Sequence, residues 1–126
     1  GDVESRMHLV PVETLLAERD ELVKQVAPLR ARHGPWGTYD DLRKIELAKI
    51  AAILRAQALA QEVKLTEAAI EEAAHADPRY IQWVIQATEQ KARYFVLENR
   101  VQGITDTIMR GQAIARYLSA EVGLVR

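Results

Sequence analysis

Beyond Pro78 the chain runs to about Glu121 without a further proline, and its apolar residues recur at alternating three- and four-residue steps. Tyr80, Trp83, Ala87, Gln90, Tyr94, Leu97, Val101, Ile104, Ile108, Gly111, Ala115 and Leu118 mark those steps, a heptad pattern held for almost six repeats. A stripe with this period lies along one side of an α-helix and nowhere on a strand. The spacing predicts a helix over 77–121, roughly 60 Å long at a rise of 1.5 Å per residue. Asp77-Pro78 is a strong start for it. Asp accepts from the free N–H groups of a first turn, and Pro brings a preset φ to a position whose N–H has no helical partner. Gly103 and Gly111 each weaken the helix interior by about 1 kcal/mol relative to Ala, and they mark a close crossing or a bend.

Everything upstream also reads as helix. Pro11 or Val12 opens a first segment that extends to about His33, with Leu15, Leu16, Leu22, Val23, Val26 and Leu29 as its stripe. Pro28 is expected to kink or end its last turn. His33-Gly34-Pro35-Trp36-Gly37 cannot continue a helix, and Trp36 is expected to fold back from this turn onto a helix pair. Thr38 reads as the cap of a second helix, with Asp40 and Asp41 favoured by the dipole in its first turn. That basic helix spans 38–63, and its apolar positions cover more than one stripe. Thr66-Glu67 opens a short third helix to about His75. The fold expected is all-α, a single domain built as a helical hairpin or bundle with one long C-terminal helix and a tendency to form oligomers. Residues 1–10 form a flexible N-terminal segment, in which Gly1 to Arg6 have the look of a processing or cloning remnant.

The chain is rich in Ala, Leu, Glu, Gln, Lys and Arg, all strong helix formers. With no cysteine, disulfides, thiol catalysis and cysteine-based zinc sites are excluded. No apolar run reaches the ~18 residues of a membrane span, so no membrane role is expected. A net charge of −1 is far from that of a strongly basic nucleic-acid binder. Any such contact must come from a local patch, repeated by oligomerisation.

Catalytic and metal motifs are lacking. His8, His33 and His75 form no HxxxH or HExxH pair. Glu71, Glu72, Asp77, Glu89, Glu98 and Asp106 fall on polar helix faces, where solvated charge is the ordinary state. There is no P-loop, no GxGxxG after a strand and no GxSxG. No enzyme activity, metal or cofactor is expected. The basic residues carry more information. Arg43, Lys44, Lys49 and Arg55 lie along the second helix, and Arg30 and Arg32 precede the turn that holds Trp36, with Tyr39 next to it. Cations beside aromatic rings are what a single-stranded nucleic acid requires, charges for phosphates and rings for bases. The same pattern is also produced by basic side chains snorkelling from an amphipathic helix.

Leu42-Arg43-Lys44-Ile45-Glu46, Lys49-Ile50-Ala51 and Leu54-Arg55-Ala56 resemble the basic helix of the UvsY family of phage recombination mediators. Leu65-Thr66-Glu67, Asp77, Tyr80-Ile81-Gln82-Trp83, Ile104, Ile108 and Arg110-Gly111-Gln112-Ala113-Ile114 are similar to that family's C-terminal half. The likeness covers roughly residues 40–120. The present chain carries less positive charge and fewer lysines in the basic helix than the family pattern. The resemblance implies an oligomeric all-helical ring in the host cytoplasm. Such a protein binds single-stranded DNA and helps load a recombinase onto strands coated by a single-strand-binding protein. The positions that match its DNA contacts are Arg43, Lys44, Lys49 and Arg55.

Two functions are therefore expected to compete. One is an oligomeric single-stranded-DNA-binding accessory protein of the mediator type. The other is a structural helical protein of virion or tail assembly, which pairs through its coiled-coil seam and has no nucleic-acid role. Both place Leu97, Val101, Ile104 and Ile108 in a subunit interface.

Overall fold

In the computed structural model, residues 11–125 are described, with side chains to residue 123; the expected flexible segment 1–10, and His8 within it, lie outside them. Four helices follow in order: α1 (Val12–His33), α2 (Tyr39–Ala60), α3 (Glu67–Ala76) and α4 (Pro78–Val125). There is no strand among the described residues. The all-α architecture with one long C-terminal helix is as the periodicity predicts.

The helix ends show which local signals act. Thr66, in extended backbone, accepts a hydrogen bond from the Ala69 N–H at 3.1 Å and caps α3. Asp77 ends α3 and starts α4. Its Oδ1 accepts from the Arg79 N–H at 2.8 Å and from Arg79 Nε at 2.9 Å, while Oδ2 takes Nη2 at 2.8 Å. These bonds from Arg79 lower the Asp77 pKa to about 2. Thr38 departs from expectation. Its hydroxyl makes no capping bond to α2 and instead donates to the Ala31 carbonyl of α1, at 3.4 Å. Pro28 neither ends nor shortens α1, which continues for five residues past it.

Helix α2 stops three residues short of the predicted Val63. Glu62 adopts φ 56°, the Glu62 N–H bonds the Leu59 carbonyl at 3.2 Å, and the Val63 N–H bonds the Ala58 carbonyl at 2.9 Å. These are the two bonds of a Schellman motif, which turns the chain through one left-handed residue. That residue is ordinarily Gly, and a glutamate there gives no sign in the sequence.

The chain divides into two units. One comprises residues 29–94. Its core joins Ile50 and Ala51 of α2 to Ile70 and Ala74 of α3, with Leu47, Leu54 and Tyr80 packed against them. Ala58, Ala87 and Tyr94 are also buried here. The other unit includes residues 11–28 and 95–125. Leu22 and Val26 of α1 and Leu97 and Ile108 of α4 are its buried side chains, Val26 completely. Arg100 Nη2 pairs with Glu18 at 3.0 Å and Arg19 donates to the Thr105 hydroxyl at 3.5 Å, both between α1 and α4. Gly103 has open space where a Cβ would stand, so within the chain it is not a close crossing.

Because a non-glycine residue in the left-handed region costs about 1–2 kcal/mol, Glu62→Gly is expected to stabilise the protein. The greater freedom of glycine in the unfolded chain offsets about 0.4–1 kcal/mol of that gain. The expected net is a rise of about 0.5–1 kcal/mol in unfolding free energy, read from the urea midpoint at unchanged slope. A fall in stability on this substitution would show that the left-handed turn is not the native one.

Candidate nucleic-acid interface

Lys44, Ala48, Ala51 and Arg55 are spaced i, i+4, i+7 and i+11 on α2. Eleven residues at 100° each bring Arg55 back to within about 20° of Lys44. That face of α2 meets α3 along an open groove of about 360 Å³. Leu47, Ala48, Ala51 and Ala74 make its apolar floor, and Lys44, Arg55, Glu71 and His75 supply its polar side chains. His75 Nδ1 donates to the Glu71 carbonyl at 2.8 Å, which leaves Nε2 as the ring's second polar atom. The ring also meets Tyr80 edge-on, with centroids 5.6 Å apart.

The four predicted cations separate into three environments. Arg55 makes a two-pronged pair with Glu67, Nε at 3.1 and 3.2 Å from the two carboxylate oxygens and Nη2 at 2.8 Å from Oε2. The bond from Arg55 holds the Glu67 carboxyl below its usual range. Both side chains stand largely in water, so the pair adds little stability. Its consequence is electrostatic: half of the groove's cationic charge already has a counter-ion. Arg43 is half-buried, and the neighbouring Tyr80 side chain raises its pKa. Lys44 and Lys49 are exposed and have no acidic partner among the described residues. Lys49 lies about 140° around α2 from Lys44 and points away from the groove face. The structure thus brings Lys44 and Arg55 together and separates Arg43 and Lys49 from them.

The aromatic residues are placed differently from expectation. Trp36 does not fold back. It is 97% exposed on the turn between α1 and α2. Tyr39 is stacked on Trp83, with centroids 5.6 Å apart and planes 24° from parallel, and meets its other neighbour, His33, in a tilted contact at 5.9 Å. Tyr39 is thereby occupied within the fold. Arg32 Nη1 donates to Gln90 Oε1 at 2.7 Å, and His33 Nε2 lies 3.5 Å from the same oxygen. Partial burial lowers the His33 pKa against that hydrogen bond, and the charges of Arg32 and Lys91 lower it further.

Of the four proposed interface residues, Leu97 and Ile108 are buried by the chain itself, at 7% and 4% exposure, and Val101 and Ile104 are half-buried. Burial of Leu97 and Ile108 therefore needs no second subunit. Val96 and Met109 of α4 are open, each at 60% exposure, and further on so are Ile114 at 60%, Tyr117 at 64% and Val122 at 56%. Sequence reasoning did not single them out as an interface, although Ile114, Leu118 and Val122 fall at i, i+4 and i+8. Among the described residues no group of histidines and carboxylates is placed to hold a metal ion, and no helix is long and apolar enough to cross a membrane.

Comparison with protein-family models, curated proteins and solved structures finds no significant match to this chain.

The environment of His33 has a measurable consequence. Its folded-state pKa lies below 6.5, so the folded chain binds that proton less readily than the unfolded chain does. The stability this contributes is complete above 6.5 and is lost as pH falls through 6.5 towards the lower folded value. Urea midpoints measured from about pH 8 down to about pH 5.5 are expected to fall more in the wild type than in His33→Asn. Identical slopes in the two proteins would refute a protonation-linked role for His33.

Proposed function

We propose that this chain is a self-associating accessory protein that binds single-stranded DNA and works by binding, not by catalysis. In its role it is similar to the UvsY-type mediators, which help a recombinase displace single-strand-binding protein; a phage-encoded chain of this kind acts in the host cytoplasm. The observation that carries this reading is the pairing of Lys44 and Arg55 on one face of α2, above an apolar groove, with Lys49 as a further unpaired cation. Two or three usable cations per chain are few. Repetition across subunits multiplies them, and linked weak contacts act with a high effective concentration.

Affinity for a single-stranded oligonucleotide is expected to fall as salt rises, because each neutralised phosphate releases counterions. Replacing both Lys44 and Lys49 by Ala is expected to weaken binding and to flatten the slope of log affinity against log salt by about 1–2. Glu67→Gln removes the counter-ion of Arg55 and is expected to tighten binding. Fluorescence anisotropy at several salt concentrations measures all three. If the double variant retains wild-type affinity and slope, the α2 cations are a solvated face and the reading fails.

A structural assembly role is favoured by a different observation, the open apolar surface of the last turns of α4. Ile114, Tyr117 and Val122 are each more than half exposed, and partly buried Leu118 lies between them. Both readings require self-association, so assembly alone does not separate them, and the salt titration does. Ile114→Glu with Val122→Glu is expected to lower the particle mass in sedimentation while far-ultraviolet dichroism keeps its helical amplitude, because a buried unpaired carboxylate is strongly disfavoured only where a subunit covers it. A wild-type protein that sediments as a monomer at micromolar concentration removes self-association from both readings.

A further inference from the structure

The last turns of α4 carry one stripe of four residues. Arg110, Ile114, Tyr117 and Glu121 follow at steps of four, three and four, which at 100° per residue keeps them within about 60° of arc. Ile114 and Tyr117, each more than half exposed, are its apolar middle, and exposed Arg110 and Glu121 are its two ends. The chain's own packing uses another side of the helix. Buried Leu97 and Ile108 stand about 100° and 120° around α4 from Ile114.

The two end charges are not neutralised within the chain. Neither Arg110 nor Glu121 has an ion-pair partner among the described residues, and Glu121 accepts only from the Tyr117 hydroxyl, at 3.2 Å. They cannot pair with each other in one chain, because eleven residues of helix set them roughly 16 Å apart, more than an arginine and a glutamate together span. Of the neighbouring charges, Arg116 stands about 160° around the helix from Ile114. Asp106, beyond the Arg110 end, accepts from Gln102 at 3.0 Å.

A second copy laid antiparallel supplies both missing partners at once. The pairs Ile114–Tyr117 and Arg110–Glu121 are centred on the same point, between Ala115 and Arg116. With Ile114 of one copy facing Tyr117 of the other, each Arg110 therefore faces the other copy's Glu121. A two-fold axis at that point makes the contact self-complementary, and every facing pair occurs twice. Apolar layers meet apolar layers, and each carboxylate meets a guanidinium. A parallel pairing in register would set Arg110 against Arg110 and Glu121 against Glu121, and like charges along a helix seam disfavour that orientation.

We propose that the last turns of α4 pair with those of a second copy, antiparallel about a two-fold axis near Ala115, through the Ile114–Tyr117 layers and two reciprocal Arg110–Glu121 ion pairs. This rests on the proposed self-association and adds to it the partner surface, the register and the orientation.

Sedimentation at micromolar concentration and a spin-label distance test the pairing, with far-ultraviolet dichroism to check that helix content is unchanged. Arg110→Glu and Glu121→Arg each turn two attractive pairs into two repulsive ones, and each is expected to weaken association about 5- to 30-fold. The variant with both changes restores the pairs and is expected to associate as the wild type does. An equimolar mixture of the two single variants is expected to do the same, since one chain then offers two carboxylates and the other two guanidiniums. The chain has no cysteine, and Gly103 has open space at its Cβ position, so Gly103→Cys accepts a single spin label. Antiparallel pairing about Ala115 puts the two labelled positions roughly 37 Å apart along the axis, whereas a parallel pair in register leaves them about 10 Å apart. If the wild type associates but both single variants associate equally well, or the labels lie at the shorter distance, this pairing is overturned and self-association stands. If the wild type is a monomer at micromolar concentration, both fall.

Discussion

The close contact of α2 with α3 decides where the charges of residues 29–94 end up. Ala51 and Ala74, both buried, occupy positions where a larger side chain would hold the helices apart, and Ile50 and Ile70 fill the space beside them. With the helices this near, the side chains that flank the alanine contact have nowhere to lie but along its rim. Lys44 and Arg55 on one helix and Glu71 and His75 on the other therefore surround one groove. The same proximity lets Glu67, at the start of α3, reach Arg55 in the fifth turn of α2. A substitution of Ala51 by Leu would disturb this whole polar arrangement through the backbone, although it touches no charge.

Helix type and order were legible because the heptads in α4 and the proline and glycine breaks are local signals. Thr66 and Asp77-Pro78 act as their residue types predict. Three features were not legible, each for a nonlocal reason. Thr38 prefers the Ala31 carbonyl because the intervening turn brings the end of α1 back to it. Glu62 takes a glycine conformation because the bonds to Leu59 and Ala58 compensate its strain. Trp36 is exposed because the glycines at 34 and 37 lock the turn in a form that aims its ring at water, whereas hydrophobicity alone argued for burial. Of the candidate site, the basic character of α2 was readable. That Lys44 and Arg55 share a face follows from their spacing on α2, whereas the groove that this face borders and the approach of Arg43 to Tyr80 depend on where α3 and α4 lie.

The heptad seam of α4 illustrates a related limit. Periodicity says that a stripe is covered and not by what. Leu97 and Ile108 sit in one regular stripe with Val101 and Ile104, yet the chain buries the first two and leaves the others half-covered. Ile114, Tyr117 and Val122 carry apolar surface past the residues that the chain itself buries. Exposed apolar surface at a helix end is costly to leave in water, so the proposed self-association is better placed there than on Leu97 and Ile108, which the chain already buries.

Near-neutral overall charge is compatible with binding a polyanion when the charges are sorted in space. Here the carboxylates are partly spent on neighbours within the chain. Glu67 is held by Arg55, Asp77 by Arg79 and Glu18 by Arg100. Each pair also consumes a cation, so what remains for a phosphate is set by the unpaired lysines, Lys44 and Lys49, and by the arginines beside neutral partners, Arg32 bonded to Gln90 and Arg43 near Tyr80. Hydrogen bonding to a neutral group fixes a guanidinium in place without cancelling its charge, whereas a carboxylate does both. The residual cationic set is small, two exposed lysines and two arginines beside neutral partners. Under the proposed self-association, its effect on a single strand would grow with the number of copies that present it, and that dependence would make the proposed binding rely on the apolar surface at the end of α4 as well as on the charges of residues 29–94.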